Sequence, residues 1–340
     1  MNNKNSIFNK NNTEIPIWFL RQAGRHIPEH FKLRNRVNNF IDFCLNTELI
    51  VETTKLPLKY YDLDAAIVFS DILMVPWAMD RNVKFVKGFG PILEPMIPTE
   101  TKIKKNTNIF DKLEPLRKSI TILKEELPKE KKLIGFAGAP WTLACYMIEG
   151  QGSKDFINTR KALWNSNKWF MELLDTLSLN IANKLEMQAK AGADILMLFD
   201  SWSHMIPNSF FKECCITPTA NIINMLRKKN VSQPIIGFPF KAGSSLINYS
   251  YESNVDCIAL DWTVNLDWAK NNINSSVTIQ GNLDPISLTS ENSFYLEENV
   301  LSILNIMKDN KFICNVGHGL TPDCKIKNVR KVIDIVRNYK

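Results

Sequence analysis

The 340-residue sequence has no apolar run that approaches the ~18 residues needed to cross a bilayer, so we expect no membrane anchor. Its first residues, MNNKNSIFNKNNTE, contain neither the apolar stretch of a signal peptide nor the Arg/Ser bias of a transit peptide. Glycine and proline are also scarce, at 13 and 16 residues, which excludes a collagen-like or low-complexity chain. The sequence therefore predicts a cytoplasmic protein with a flexible polar tail over residues 1–13 and a folded domain over residues 14–340.

Paired cysteine motifs are absent as well. The seven cysteines are an odd number, and none belongs to a Cys-x-x-Cys pair. Most lie in apolar segments, such as Cys257 in VDCIALDW and Cys314 in KFICNVG. This pattern is typical of buried free thiols in a reducing compartment and does not indicate a disulfide framework.

The chain carries a modest excess of positive charge. Its 42 basic and 35 acidic residues give a net charge of +7. Such an excess suits acidic partners, which include nucleic acid, an anionic membrane or a polyanionic small molecule. We find no basic helix with base-reading residues and no sheet motif that combines aromatic and basic residues. A nucleic-acid-binding protein is therefore the weaker interpretation, and much of the excess is expected to be solvated surface lysine.

Eight short, nearly continuous apolar runs recur along the chain. Runs without alternation of polar and apolar residues are typical of strands buried on both faces. The runs are IPIWFL (15–20), AAIVFS (65–70), KLIGFA (132–137), DILMLF (194–199), PIIGF (234–238), CIALDW (257–262), VTIQG (277–281) and KFICNVG (311–317).

Helical patterns separate these runs. Residues 166–191 have apolar positions at helical spacing and stop at Gly192, which is a helix-terminating signal. Similar patterns occupy residues 206–229, 285–308 and 322–338. Eight strands that alternate with helices predict an α/β fold, most simply a single-domain (β/α)8 (TIM) barrel. A doubly wound open sheet is the alternative.

The longest interval between runs lies between the second and the third. Its first part, VKFVKGFGPILEP (83–95), predicts a β-hairpin around Gly88 and Gly90. Its second part, residues 109–127, predicts a charged amphipathic helix. Barrels commonly carry extra segments on the loops that follow their strands. We therefore expect an insertion between strands 2 and 3.

Polar and glycine residues follow each of the eight runs. The carboxyl ends of parallel barrel strands meet on one face, where they build the active site. The segments at these ends are RQAGR (21–25), SD (70–71), GAPW (138–141), DSW (200–202), PFK (239–241), DW (261–262), GNLD (281–284) and GHG (317–319). Because all eight runs share this feature, we expect a polar, flexible rim that carries the functional site.

Two of the segments are specific to one family. PIWFLRQAGRHIPEH (16–30) resembles the N-terminal signature of uroporphyrinogen decarboxylases, and GFAGAPWTLACYMIEG (135–150) resembles their second signature. Individually weaker matches extend the resemblance over about residues 14–325; they are AAIVFSDILMVP, LFDSW, IALDW, IQGNLDP and NVGHGL.

The resemblance implies a fold, a reaction and an assembly. Enzymes of this family are homodimeric (β/α)8 barrels that act without a metal or an organic cofactor. They remove CO2 from the four acetate side chains of uroporphyrinogen III and give coproporphyrinogen III in haem biosynthesis. The substrate is a flexible tetrapyrrole with eight carboxylates, which suits the positive charge of the chain.

The resemblance also assigns roles to the first loop. Arg21 and Arg25 would each hold a substrate carboxylate in a bidentate pair. Gln22, Ala23 and Gly24 would complete a binding loop whose backbone can approach the ligand. Arg25 is also implied in catalysis, although a guanidinium with a pKa above ~12 is a poor proton donor without special placement or a water.

Asp71 ends a buried apolar run, so an ionised carboxylate there needs a partner. The resemblance places it at the centre of the cleft, where it accepts hydrogen bonds from pyrrole N–H groups. A fixed anion beside a cationic pyrrole would lower the barrier to loss of CO2. Bonding to a neighbouring arginine or capping of the next turn is the structural alternative.

Three further residues correspond to substrate-contacting positions of the family: Tyr146, Ser201 and His318. On sequence alone, a core position for Tyr146 and a turn position for Ser201 are the stronger interpretations. Thr321-Pro322-Asp323 predicts a helix N-cap followed by proline at the first helical position. The N-terminus of that helix would favour another substrate carboxylate.

Histidines occupy three unexpected positions. His26-Ile-Pro-Glu29-His30 matches the H-x-x-E-H pattern of some zinc peptidases, which requires both histidines on one continuous helix. Pro28 would disrupt that helix, so we expect no zinc site. The family commonly has tyrosine at both histidine positions. His204, after FDSW, replaces a small residue and would either narrow the cleft or face solvent.

Methyltransferases that use corrinoid-bound methyl groups are the enzymatic alternative on the same barrel. They bind zinc through His/Cys sets late in the chain. Here Cys314 and Cys324 lack an adjacent H-x-C pair, and those enzymes lack the RQAGR loop. The decarboxylase interpretation is therefore preferred.

Overall fold

The computed structural model describes Phe8 and residues 14–86, 88–104, 108–292 and 294–340. The tail predicted over residues 1–13 lies outside this range except for Phe8. That residue is buried, and its carbonyl accepts a hydrogen bond from the Thr278 hydroxyl at 3.5 Å.

Seven parallel strands form the main sheet, in the order β1-β4-β5-β6-β7-β8-β9. Their order follows the chain from one edge to the other. A doubly wound sheet reverses its order at the centre, so the open-sheet alternative is wrong. The strands are β1 (Ala65–Ile67), β4 (Lys132–Gly138), β5 (Ile195–Asp200), β6 (Ile235–Pro239), β7 (Cys257–Ala259), β8 (Thr278–Leu283) and β9 (Phe312–Val316), and β2 (Lys84–Val86) and β3 (Gly90–Ile92) form a separate pair.

The first predicted strand, residues 15–20, bonds to both edges of this sheet. On one side Cys314 of β9 donates its amide to the Pro16 carbonyl at 2.8 Å and accepts from the Trp18 amide at 3.4 Å. On the other side Asp64, which precedes β1, donates its amide to the Ile17 carbonyl at 3.0 Å. The segment is thus extended chain between β9 and β1, although only an isolated bridge at Ile17 joins it to the ladder.

The predicted hairpin is present. Strands β2 and β3 are antiparallel, with Lys84 opposite Ile92 and Val86 opposite Gly90. Gly90 has a φ of 83°, which a side chain would strain. The amphipathic helix predicted over residues 109–127 is divided into two at Leu113, where the chain leaves the helical path before Pro115.

Helices follow the strands and cover the sheet. They are α1 (Pro28–Arg34), α2 (Phe40–Leu45), α3 (Thr47–Tyr60), α4 (Met74–Ala78), α5 (Ile109–Lys112), α6 (Glu114–Glu126), α7 (Pro140–Glu149), α8 (Ile157–Asn165), α9 (Asn167–Ala191), α10 (Thr217–Lys228), α11 (Leu246–Glu252), α12 (Leu266–Asn272), α13 (Phe294–Met307) and α14 (Ile326–Asn338). Within the described parts of the chain, no helix combines the length and apolar character needed to cross a membrane.

Most predicted helix positions are confirmed. The predicted and observed helices differ in the residues at which they begin. Helix α9 ends before Gly192, which adopts the left-handed conformation at φ 119°. The segment predicted as one helix over 206–229 begins instead with a 3-10 turn (Asn208–Phe210) and a π-helical turn (Lys212–Ile216) before α10. The segment predicted over 285–308 begins with a 3-10 turn (Pro285–Thr289) and continues as α13.

The core lies between the sheet and the helices. In β5, Ile195, Leu196, Met197 and Leu198 are all buried although successive side chains point to opposite faces. Both faces of the sheet are therefore covered, as the continuous apolar runs predicted. Removal of these side chains from water is the main force that holds the strands in register.

The register brings the carboxyl ends of the strands to one edge. Gly138 lies opposite Phe199, Asp200 opposite Pro239 and Leu283 opposite Val316. The segments that follow these residues therefore emerge side by side. We call this edge the carboxyl rim.

Candidate active site

The first loop presents two exposed arginines at the carboxyl rim. Arg21 adopts a left-handed backbone conformation with φ 57°. Its side chain lies against the loop after β9, where a Cβ added to Gly319 would stand 2.2 Å from Arg21 Cδ. Glycine at position 319 therefore allows the guanidinium stem to pass. Arg25 is exposed in the following turn.

Gln22 has a structural function between these arginines. Its side chain is buried; Oε1 accepts from the Phe19 amide at 3.1 Å, and Nε2 donates to the Ala65 carbonyl at 2.9 Å. The amide group thus fastens the loop to β1, so that the side chain of Gln22 is not available to a ligand. Ala23 and Gly24 are half-buried beside it.

Asp71 follows β1 at the rim and is half-buried. Its Oδ1 accepts a hydrogen bond from the Leu73 amide at 2.8 Å. Burial raises the pKa of this carboxyl group, while the Leu73 amide and the charges of Lys184 and Arg21 act in the opposite direction. Asp71 is therefore a poorly solvated carboxyl group, whose pKa burial raises although the Leu73 amide and two cations favour the charged form.

Two predicted rim segments are locked together. The Thr142 hydroxyl of α7 donates to Asp200 Oδ1 at 2.6 Å and accepts from the Trp202 amide at 3.1 Å. The indole of Trp141 donates to the Trp202 carbonyl at 2.9 Å. This network fixes the chain around Ser201, which directly follows β5.

Tyr146 lies one turn further along α7. Its ring packs against Trp202 at a centroid distance of 6.1 Å, and its side chain is half-buried. Burial raises the pKa of Tyr146, so the phenol is neutral and can donate a hydrogen bond.

His318 lies between the aromatic rings of three rim residues. Its imidazole is 4.9 Å from the ring of Phe240, 6.2 Å from Trp262 and 6.4 Å from Phe238, measured between centroids. Burial, together with the charges of Arg21 and Lys241, lowers the pKa of His318 to about 4. The imidazole is therefore neutral near pH 7 and offers one donor and one acceptor.

Four of the sequence-predicted residues act on one another. The charge of Arg21 lowers the pKa of Asp71, of Tyr146 and of His318. The charge of Arg25 instead adds to burial in lowering the pKa of His30. The charge of Arg21 thus acts on Asp71, Tyr146 and His318. Together the four residues provide a cation, an anion and two neutral hydrogen-bonding groups.

The predicted helix start at Pro322 is wrong. Helix α14 begins at Ile326, and Lys325 is its N-cap. The Thr321 hydroxyl bonds to Asp323 Oδ1 at 2.6 Å, and the Lys325 amide donates to the Leu288 carbonyl at 3.0 Å. These contacts hold residues 321–325 out of the helix, so α14 has no terminus beside His318.

The H-x-x-E-H residues do not converge. Helix α1 begins at Pro28, which leaves His26 outside it. Glu29 bonds to the Tyr60 hydroxyl, whereas His30 is buried against Phe43 and Phe69. Over the described residues as a whole, no group of three or more His, Cys, Asp or Glu side chains is arranged to hold a metal ion.

His204 packs against two aromatic rings at the rim and is half-buried. Its ring lies 5.9 Å from Trp202 and 5.7 Å from Phe240. Burial and the charge of Lys241 lower its pKa, which Asp261 partly opposes. The side chain thus contacts the segments after β5 and β6, and a narrower cleft remains a prediction.

Sequence reasoning missed two lysines. Lys241 has a left-handed backbone with φ 56°, and its amide donates to Asp261 Oδ2 at 3.0 Å. Its ammonium lies 4.9 Å from the centre of the Trp262 ring and 5.4 Å from that of the Phe240 ring. Lys184 is fully buried on α9 and acts on Asp71. The unusual backbone of Lys241 leaves no sequence signal, and Lys184 lies in an ordinary helical pattern.

The chain is similar to curated proteins over almost its whole length. A family model described as Uroporphyrinogen decarboxylase (URO-D) matches residues 5–339. A uroporphyrinogen decarboxylase of Chelativorans sp. (strain BNC1) is 40% identical over 95% of this chain and 94% of its own length. That of Rickettsia africae (strain ESF-5) is 41% identical over 97% and 95%, respectively.

Solved structures share the fold at low sequence identity. A methyltransferase from Methanosarcina mazei aligns with a TM-score of 0.80 at 14% identity, over 96% of this chain and 94% of that one. A putative vitamin-B12-independent methionine synthase from Listeria monocytogenes aligns with a TM-score of 0.55 at 14% identity, over 96% of both chains. The family match covers the arginine loop, Asp71 and the other rim residues described above, and it establishes that the chain belongs to the uroporphyrinogen decarboxylase family.

Proposed function

We propose that this protein is a carboxy-lyase that converts uroporphyrinogen III to coproporphyrinogen III in porphyrin and haem biosynthesis. It removes CO2 from the four acetate side chains and leaves methyl groups. The observation that carries this proposal is the position of Asp71, a poorly solvated carboxylate beside Arg21 at the rim of a chain in this family.

The cations of the rim bind the substrate carboxylates. Arg21 and Arg25 are exposed and can each form a bidentate pair with a carboxylate. Lys241 offers a third cation, held by its contact with the Trp262 ring. The backbone of residues 22–24 lines the same loop. Eight carboxylates on one flexible macrocycle thus meet several fixed cations.

Asp71 acts on the pyrrole whose acetate reacts. Protonation of a ring carbon makes that pyrrole a cation. The C–C bond to the carboxylate then breaks, its electron pair enters the ring and CO2 leaves. A proton added to the exposed methylene gives the methyl group, and the ring carbon returns its proton, so that one proton is consumed for each CO2. The carboxylate of Asp71 accepts hydrogen bonds from the pyrrole N–H groups and stabilises the cation by electrostatic preorganisation.

Neutral groups complete the substrate site. Tyr146 on α7 and Ser201 after β5 supply two hydroxyl groups, and His318 after β9 supplies an imidazole. Because burial keeps Tyr146 and His318 uncharged near pH 7, they can bind polar atoms of the substrate without competing for its carboxylates.

Residues 14–340 form a single (β/α)8 barrel in this proposal, with the β2–β3 hairpin as part of an insertion between the first two strands of the main sheet. The hydrogen bonds of residues 16–18 to both edges of that sheet support a closed eight-stranded ring. The family resemblance further supports a homodimer. Light scattering is expected to give twice the chain mass of 39.0 kDa.

The reaction requires no separate electron sink, because the protonated pyrrole accepts the electrons that CO2 leaves behind. We therefore propose an enzyme that acts without a metal or an organic cofactor. A cytoplasmic location suits the seven cysteines, which are all buried free thiols. Neither a membrane nor a nucleic acid is required as a partner.

The decisive experiment is anaerobic incubation of the purified protein with uroporphyrinogen III. Stepwise appearance of products with seven, six, five and four carboxylates is expected, with full turnover after exhaustive dialysis against a chelator. An unchanged substrate would contradict the proposed reaction. Activity that is lost on dialysis and returns only with zinc would contradict the cofactor-free mechanism and direct attention to His26, Glu29 and His30.

A further inference from the structure

Lys184 is a fully buried cation without a hydrogen-bond partner. None of its surface is exposed, and its Nζ has no partner among the described residues. The ammonium lies 5.5 Å from the centre of the Phe136 ring, a contact that compensates only part of its lost hydration. Burial of an ammonium in this way opposes folding strongly, so its presence calls for a functional explanation.

The position of Lys184 on α9 places it close to the carboxyl rim. Helix α9 ends at Ala191, shortly before β5 begins, and therefore runs antiparallel to the strands. Gln188 packs beside Gly135 of β4 and donates to the Phe136 carbonyl at 3.0 Å. Lys184 lies one helical turn before Gln188, which is one turn closer to the rim and to Asp71.

Lys184 and Asp71 act on each other. Burial lowers the pKa of Lys184 and raises that of Asp71, and the charge of each group partly opposes the shift of the other. Cys44 on α2 lies beside both groups, and burial raises the pKa of this thiol well above its usual range, so it carries no charge. Tyr146 on α7 is likewise neutral. The cations that act on Asp71 are thus Lys184 and Arg21.

These two cations differ in what they can contact. Arg21 is exposed and faces the substrate, whose carboxylates neutralise its field on Asp71 when they bind. Lys184 is out of reach of any ligand, so its field persists. Substrate binding also removes water from Asp71, which favours the protonated carboxyl. A cation on the protein side would oppose this change.

We propose that Lys184 is a positioning residue that keeps Asp71 ionised while the substrate fills the site. The proposal rests on the decarboxylase function given above and adds to it a buried counter-charge. Lys184 contacts no reacting atom in this scheme; it acts through the charge state of Asp71.

The Lys184→Met variant tests the proposal through the pH dependence of kcat, which reports the ionisation of groups in the substrate complex. Met has a similar length and no charge. Loss of the ammonium should raise the pKa of Asp71, so the acidic limb of the profile should move to higher pH by about one unit or more. Burial lowers the pKa of Lys184 to about 8, so wild type and variant should converge at alkaline pH, where the wild-type lysine is also neutral. A lysine with only a packing role would change the rate by the same factor at every pH.

Lys168→Met provides the matched control. Lys168 lies on the same helix, with its side chain exposed, so this variant should keep the wild-type profile. An acidic limb that stays in place in Lys184→Met would overturn the proposal.

A stability cycle provides a second test that does not depend on turnover. Asp71→Asn is introduced into wild type and into Lys184→Met, and Tm is measured at pH 6.5. The change in Tm should be more negative in wild type, where the substitution leaves the ammonium without its counter-charge. Equal changes in the two backgrounds would contradict the pairing. The cycle also separates the pairing of Lys184 and Asp71 from the proposed function. If wild type fails to decarboxylate uroporphyrinogen III, the function is contradicted, but the coupling between the two residues can still be measured.

Discussion

Thr142 and Asp200 lie 58 residues apart in the chain and are joined by a 2.6 Å hydrogen bond between two buried side chains. Through the same hydroxyl, Thr142 also holds the amide of Trp202. One atom of α7 therefore fixes the loop that carries Ser201 and packs Trp202 against Tyr146.

Thr142→Val is expected to lower both stability and activity. Valine keeps the shape but leaves Asp200 and the Trp202 amide without their partner, which costs about 1–3 kcal/mol in the free energy of unfolding. The loop around Ser201 should become less ordered, so kcat/KM should fall as well. Thr142→Ser retains the hydroxyl and is the control. Urea unfolding and substrate kinetics check both effects; a stable and fully active valine variant would contradict the role of the network.

Asp71→Asn is expected to lower kcat by a factor on the order of 10²–10³ or more, with the fold preserved. The amide keeps the size of the side chain but removes the charge that stabilises the cationic pyrrole. Single-turnover assays with uroporphyrinogen III measure the effect. Asp309→Asn, an exposed carboxylate before β9 at the opposite end of the sheet, should leave kcat unchanged. Normal turnover of Asp71→Asn would make Asp71 a structural residue.

Arg21→Ala and Arg25→Ala should each lose most activity. Removal of one partner from a charged, hydrogen-bonded pair costs about 2–5 kcal/mol, which corresponds to a decrease in kcat/KM on the order of 30-fold to several thousand-fold. Arg36→Ala, which breaks an exposed pair with Glu52, is the control. Either loop variant with wild-type kinetics would remove that arginine from the substrate site.

Lys241→Gln should raise KM with little change in kcat. An exposed cation at the rim contributes roughly 1 kcal/mol to binding of an anion, or about fivefold in KM. The effect should decrease as ionic strength rises, because salt screens exposed charges. Lys308→Gln, exposed before β9, is the matched control. A KM that does not respond to Lys241→Gln at low salt would exclude this contact.

His30→Phe is expected to make the protein more resistant to acid. Burial, with the charges of Arg25 and Arg34, lowers the pKa of His30 from its usual 6.5 to about 4. The unfolded chain therefore binds more protons than the folded one between these values, so this contribution to stability is present above pH 6.5 and is lost as the pH falls toward 4. At pH 5 the loss for this histidine is about 2 kcal/mol.

The comparison of His30→Phe with wild type at pH 7.5 and pH 5 isolates this histidine. Burial raises the pKa of Asp200 to about 6, and this carboxyl changes stability in the opposite sense over the same interval. A measurement on wild type alone would therefore combine the opposite effects of His30 and Asp200 on stability. An identical loss of stability in both proteins would show that His30 does not cause it.

The sequence predicted the elements that depend on local composition. Continuous apolar runs identified the strands because both faces of the sheet are covered, and Gly192 marked the end of α9 because a left-handed residue terminates a helix. Thr321-Pro322 gave a false helix start, because the bond of Lys325 to Leu288 lies outside any local pattern.

The site was predictable where chemistry is tied to a motif and unpredictable where it depends on distant contacts. Arg21, Asp71, Tyr146 and His318 are candidates by resemblance, and in the structure the charge of Arg21 affects the pKa of the other three groups. The side chain of Gln22 donates a hydrogen bond to the carbonyl of Ala65, 43 residues away, and no pattern in the first loop indicates this contact. Lys184 looks like any other lysine in a helix, because its burial depends on the packing of α9 against β4.

The hydrogen bonds of the first loop also determine when this loop can become anchored during synthesis of the chain. The Leu20 amide, directly before Arg21, donates to Asn315 Oδ1, 295 residues later in the chain. On the ribosome, the contact of Gln22 with Ala65 can form early, whereas Asn315 on β9 is synthesised 295 residues after Leu20. Contacts of such separation form late, because a long stretch of chain must first be ordered. A nascent chain therefore lacks its anchored arginine loop until β9 has been synthesised, and a truncation before β9 would remove the support of Arg21 together with the strand.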